Sequence, residues 1–306
     1  MTRLGKPLTS VRTVALLGVL ACSQPLLAAD LGQNAAPVSP APIASGWEAS
    51  LTVYGWLTFL NGSSTVKGRT VDVDVDPIQV IEHLDRVPFM GYAELRKGPF
   101  ALYADVVYAD LGLSNSGIRT VQNGTIGTAL GLNFTQLIAE AGVQYEVARW
   151  GGTPASFKDA IASPGYTAID LYAGARYWYQ ELDLDFNLAG TIDRGDLVIS
   201  GSRAIAKSGI VDWVDPLVGI RLRHQYASGT EIFVKGDIGG FGAGSQFSWN
   251  ALAALNYDIL KMPTYTASAY LGYRALSVDY VQGEGRTRYE FNVIQHGPVV
   301  GVTVKY

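Results

Sequence analysis

The chain has 306 residues, a formal net charge of −4 and only 16% charged residues, well under the roughly 25% of an ordinary soluble domain. Its acidic balance excludes a basic footprint for nucleic acid, and past the N-terminus there is no run of about 18 apolar residues to form a spanning helix. Low charge together with 35 Gly, 17 Tyr and 6 Trp, and no such helix, points to strands in a membrane.

Taken in chain order, residues 1–29 read as a signal peptide. Arg3, Lys6 and Arg12 make a positive start, and Val14 to Ala21 form an apolar stretch too short to span a bilayer. Leu27-Ala28-Ala29 supplies small residues for cleavage near Asp30. The single cysteine, Cys22, lies inside this segment, so the mature protein is expected to hold no thiol and no disulfide. A competing reading takes Val19-Leu20-Ala21-Cys22 as a lipobox with Cys22 lipidated, although Leu20 fits poorly and a barrel needs no second anchor. Residues 30–45 are rich in Ala, Pro and Ser and read as an extended periplasmic linker.

From residue 46 to 306 the dominant period is two. Ten segments of strand character run approximately 47–60, 87–96, 100–110, 134–148, 168–181, 213–226, 230–240, 247–258, 265–279 and 293–306. Short gaps such as Lys97-Gly98-Pro99, Ser228-Gly229-Thr230 and Lys261-Met262-Pro263-Thr264 read as tight turns, and 61–86, 111–133 and 182–212 read as long loops. The two kinds mostly alternate, as they do when one barrel rim carries turns and the other loops. The 149–167 connection breaks that alternation. Twelve strands follow if Thr65–Asp76 or Asp183–Ser202 contributes a pair, and eight if 87–96 belongs to a loop.

The charges segregate by parity. One face of the strands collects nine acids (Glu48, Glu94, Asp105, Glu140, Glu146, Asp170, Asp215, Glu231 and Asp237) and seven bases (Arg96, Arg176, Arg221, Arg223, Lys235, Arg274 and Lys305). The other is made of Ala, Val and Leu, as in Leu51 and Val53, Leu102 and Val106, Val218 and Leu222, Leu271, and Val300 to Val304. Apart from Tyr, its ionisable residues, His224 and His296 among them, lie near strand ends. A charge facing lipid at mid-depth costs about 2–4 kcal/mol, which explains the segregation. Aromatics on the apolar face gather at strand ends: Trp47, Phe100, Tyr145, Tyr257, Tyr265 and Tyr306 toward one rim, and Phe59, Phe89, Tyr108, Tyr177, Tyr179 and Trp249 toward the other. Such rings prefer the headgroup level. The expected fold is therefore all-β: a transmembrane, antiparallel, up-and-down β-barrel of about ten strands, monomeric by default, with its long loops outside the cell. The alternative is a secreted β-sandwich or lipocalin-like barrel, in which the charges face water and the apolar face is the core.

The phrases AIDLYAGARYW (168–178), WVDPLVGIRLR (213–223), GDIGGFGAGSQFSW (236–249) and SAYLGYRAL (268–276) carry a resemblance. Over residues 46–306 the chain is similar to a family of uncharacterised outer-membrane β-barrel proteins of proteobacteria. The resemblance implies fold and location and brings no catalytic or binding residues. The ending Val300, Val302, Val304, Tyr306 also resembles the C-terminal signal read by the barrel-assembly machinery.

For function, the inward charges offer two readings: a salt-bridged polar filling, or a narrow, weakly selective pore lined by Asp105, Glu140, Arg176, Arg221, Arg223, Asp237 and Arg274. A surface-recognition barrel acting through 61–86, 111–133 and 182–212 is the second class. An outer-membrane lipid hydrolase is the third, resting on His224, Ser228 and Glu231 near one turn. His224 there has lipid-facing parity and Glu231 the opposite one, so no catalytic set is expected. His83 and His296 show no obvious partners in the sequence. Asp72, Asp74 and Asp76 alternate, but Pro77 and His83 stand where a calcium loop of EF-hand type needs Gly and Glu. Asp76-Pro77 reads instead as the start of a short helix with Ile78, Ile81 and Leu84 on one side. The glycines from Gly236 to Gly244 read as a curved barrel rim, since no Lys-Ser/Thr follows to make a phosphate loop. No metal and no cofactor is expected. The expected partners are outer-membrane lipid and, through Tyr306, the assembly machinery.

Overall fold

The computed structural model describes residues 46–66, 69–121, 124–151, 165–194 and 197–306. The expected signal peptide and linker, Cys22 included, and most of the 149–167 connection lie outside the described residues. In chain order the elements are β1 (Trp47–Trp56), β2 (Phe59–Val66), β3 (Arg69–Val75), α1 (Pro77–Glu82), β4 (Phe89–Lys97), β5 (Phe100–Val121) and β6 (Gly124–Gly151). They continue with β7 (Tyr166–Arg194), β8 (Leu197–Gln225), β9 (Glu231–Gly239), β10 (Phe247–Lys261), β11 (Thr266–Gln282) and β12 (Tyr289–Lys305).

Strands β1 and β4 to β12 pair antiparallel in sequence order, and β1 returns to β12 from Ser50↔Lys305 to Trp56↔Val299. This closes a ten-stranded barrel and leaves no open edge in the wall. The β2–β3 hairpin extends the sheet to twelve strands without entering the ring, since β3 pairs only with β2. β1 and β2 are one path along β12, interrupted at Leu57 and Thr58 opposite Gly297 and Pro298. Proline has no N–H for the ladder, so the break falls where a donor is missing.

Both ends of the barrel chain meet at one rim, called here the terminal rim. Its turns are tight: Met262 N–H donates to the Tyr265 carbonyl, and Tyr226 N–H to that of Thr230. At the far rim the structure corrects the loop expectation. Residues 111–133 and 182–212 are mostly not loops: β5–β6 and β7–β8 continue as paired hairpins out to Val121↔Gly124 and Arg194↔Leu197. Turn residues alone did not mark the ends of these strands. The 61–86 segment holds the hairpin β2–β3 and α1. Asp76 caps α1 by accepting from the Ile78 N–H at 2.9 Å. Ile78 and Ile81 are 66% and 54% exposed, so α1 lies on the outside of the rim.

Burial decides between the two orientations left open by parity. Leu102, Val218, Leu271 and Val300 are about half exposed, whereas Asp170, Arg176 and Asp215 are fully buried. Apolar residues face out around a charged interior, the arrangement of a membrane-spanning β-barrel and the inverse of a soluble one. The belts follow: Phe100 and Tyr145 meet as a tilted pair at 4.8 Å on the terminal rim, and Phe89 sits opposite Tyr108 toward the far one.

Candidate functional site: the barrel interior

All seven interior residues singled out from parity point inward and are buried. The closed ring brings charges from distant strands together in two networks. Nearer the terminal rim, Asp170 on β7 is the hub. It accepts from Arg221 Nε at 3.0 Å, Arg223 Nε at 2.9 Å and Arg96 Nη2 at 3.3 Å. Glu94 joins Arg221 at 2.7 Å and Arg96 at 3.0 Å. Glu146 binds Arg149 at 2.6 Å and also pairs with Arg223, which donates to the Tyr166 hydroxyl at 2.9 Å. At mid-barrel, Arg176 bridges Glu140 at 2.7 Å and Asp237 at 2.8 Å. Arg274 meets Asp105 at 2.8 Å, and Tyr54 donates to the same carboxylate at 2.7 Å. Asn250 links the pairs, donating to Asp237 at 2.9 Å and accepting from Arg274 at 3.1 Å.

Toward the far rim the filling becomes apolar. Trp56, Met90, Val107, Ile138, Trp178, Trp213, Leu276, Tyr280 and Phe291 pack as one cluster, drawn from strands around the ring. Trp178, Trp213 and Tyr280 stack face to face, with centroids 5.5 and 3.9 Å apart. The 240–246 connection folds over this end: Asp215 accepts from Ser245 N–H at 2.6 Å and from its Oγ at 2.8 Å. Gly244 makes this approach feasible, because a Cβ there would collide with the Val214 carbonyl. Gly240, which has a positive φ and lies against Ser245, and Gly244 thus serve a cap seated in the barrel mouth.

Below the aromatic layer a cavity of about 150 Å³ opens at the terminal rim and reaches in to Arg274, Leu252 and Val299. Tyr54, Tyr92, Phe233 and Tyr270 form part of its wall, and Lys235 lines it.

Sequence reading missed this interior aromatic layer. Parity carried the signal: Trp178 shares a face with Arg176, and Trp213 with Asp215. It also missed the partners of His296, whose Nδ1 meets the Tyr273 hydroxyl at 2.7 Å and whose Nε2 meets Asn61 Oδ1 at 3.1 Å. Asn61 in turn donates to Asp74 at 3.0 Å, so the Asp72–Asp76 run serves the β2–β3 hairpin and the α1 cap. His224 bonds Thr167 Oγ1 at 2.8 Å and lies edge-on to Tyr226, while Ser228 donates to Thr230. The His83 carbonyl accepts from Gly112 N–H, tying the stretch after α1 to β5.

No protein-family model and no curated sequence matches the chain. Among solved structures it is similar to a FadL homologue of Pseudomonas aeruginosa, at 10% identity and a TM-score of 0.29, covering 85% of this chain and 90% of that one. It is also similar to OpdK of Pseudomonas aeruginosa, solved with vanillate (8%, TM-score 0.24, 87% and 100%). A third likeness is to OmpT, an outer membrane protein of Vibrio cholerae (9%, TM-score 0.21, 85% and 97%). At these scores the likenesses carry no argument about kinship, cargo or activity. The class rests on the chain's own geometry.

Proposed function

We propose that this chain is an exported, integral outer-membrane protein of a Gram-negative-type cell, with a structural role and an interior held shut by its own side chains. Export through residues 1–29, assembly through the C-terminal Tyr306 and membership of the proteobacterial barrel family are parts of the proposal. The observation that carries it is the stack of Trp178, Trp213 and Tyr280 across the interior, over ion-paired arginines. Ten strands sit near the size at which side chains fill a barrel, and among the described residues the interior arginines each have a carboxylate partner. A narrow, weakly selective channel is the same protein with that aromatic layer displaced. No catalytic step belongs to the proposal, which is supported by His224 bonding Thr167 and not Ser228.

The test is single-channel recording of the refolded mature protein in a planar bilayer. Wild type is expected to be silent, and a Trp178→Ala/Trp213→Ala variant to conduct, with folding checked by heat-modifiable gel migration. Wild-type steps whose ion preference changes with Arg274→Glu would overturn the closed reading and establish a charge-lined pore.

Surface recognition is the second reading, favoured by the two hairpins that run on as paired strands to Val121 and Arg194. Hairpin shortening that abolishes binding to cells or phage, with the barrel intact, would support it.

A further inference from the structure

Six arginines and one lysine of the interior, Arg96, Arg149, Arg176, Arg221, Arg223, Arg274 and Lys305, each hold a carboxylate within ion-pair distance. Lys235 differs. It is 7% exposed, and among the described residues it has neither an ion pair nor a hydrogen bond. Its ammonium instead sits 5.2 Å from the Tyr92 ring centre and 5.9 Å from that of Tyr103. Ring faces cover one side of a cation and accept no directed N–H bond of ordinary strength. Lys235 also lines the cavity. Glu140 is near enough for the two charges to feel one another, but no carboxylate is in contact with this ammonium among the described residues, and the neighbouring arginines hold Asp105, Glu140 and Asp237.

The rest of the cavity specifies what fits beside that charge. Its wall carries the rings of Tyr54, Phe233 and Tyr270 together with carboxylates such as Glu94, Asp105 and Glu231 that are paired with interior cations, and its inner end the apolar Leu252 and Val299. Its volume of about 150 Å³ is near that of an apolar protein cavity known to hold benzene. One ammonium matches a single negative charge. A phosphate dianion needs more free donors than one lysine offers.

We propose that this cavity binds a small carboxylic acid with an aromatic or short apolar body, entering at the terminal rim and seating its carboxylate on Lys235. The body replaces water against Tyr54, Phe233 and Tyr270, while the carboxylate supplies the contact-distance anion that Lys235 does not have among the described residues. The tyrosine hydroxyl of Tyr54 is committed to Asp105, so discrimination between acids falls to body size.

The probe is benzoate, titrated by calorimetry into the refolded mature barrel, beside the neutral isostere benzamide. Benzoate is expected to bind saturably and benzamide not to bind. Lys235→Met should weaken benzoate about tenfold or more, as loss of a buried charge partner does, and Lys235→Arg should retain it. No saturable benzoate binding, equal binding of benzamide, or unchanged affinity in Lys235→Met would each overturn the proposal. If Lys235→Met fails to fold, the benzoate–benzamide comparison on wild type decides alone. A silent bilayer without benzoate binding removes this site and leaves the closed-barrel reading standing. Binding to a barrel that conducts does the reverse.

Discussion

Arg176 shows how the interior is built. Its guanidinium lies between Glu140 and Asp237, fully buried, and among the described residues neither carboxylate has another cation within ion-pair distance. Buried pairs add little net stability over apolar packing, but removing one partner strands the others. Arg176→Met is therefore expected to destabilise the barrel by about 3–5 kcal/mol, read by urea unfolding in lipid vesicles. Gly142 illustrates a steric need at the same scale. It pairs with Tyr103 on one side and Gly174 on the other, and a Cβ there would meet a Tyr103 ring carbon at 2.7 Å. The two glycines let the Tyr103 ring lie across neighbouring strands. Gly142→Leu should cost about 1–3 kcal/mol through overpacking, in the same assay. A Cβ there would also collide with the Ala173 carbonyl, so an unchanged midpoint would show that both the Tyr103 ring and the β7 backbone can give way.

At the scale of elements, the β2–β3 hairpin stands outside the closed ring, and side chains of the wall hold it. His296 on β12 joins Tyr273 on β11 to Asn61 on β2, and Asn61 reaches Asp74 on β3. His296→Ala should leave the unfolding midpoint of the barrel within about 0.5 kcal/mol, as an outer-surface change does. The hairpin should nevertheless be cut faster by added protease, because its tie to the wall is gone. Equal cleavage of wild type and variant would assign the hairpin's order to its own ladder with β12.

The whole molecule has two chemically opposed surfaces, and which one faces outward decides what it is. Ile220 lies on the apolar face, 50% exposed, and its neighbour Arg221 lies inside. In a membrane barrel Ile220→Arg should cost about 2–4 kcal/mol at mid-depth and lower the folded fraction in vesicles. In a water-soluble barrel the same exposed arginine would be close to neutral. The substitution thus tests orientation without any functional assay.

Much of this was legible in the sequence because strand geometry forces side chains to alternate. Period two placed the ten strands, and charge parity put Asp105, Glu140, Arg176, Arg221, Arg223, Asp237 and Arg274 on one face. Asp76-Pro77 marked the start of α1 by local capping chemistry. Other features depend on contacts between strands far apart in the chain. Parity cannot say whether its charged face is inside or out, and closure of β1 onto β12 settled that. Nor can it tell a lined pore from a filled interior, which depends on whether Trp178, Trp213 and Tyr280 meet across the barrel. That Lys235 has no carboxylate in contact among the described residues is likewise invisible along the chain: the ring brings Arg176 to Glu140 and Asp237, and Arg274 to Asp105. Local periodicity determined the wall, and ring closure decided what the wall encloses.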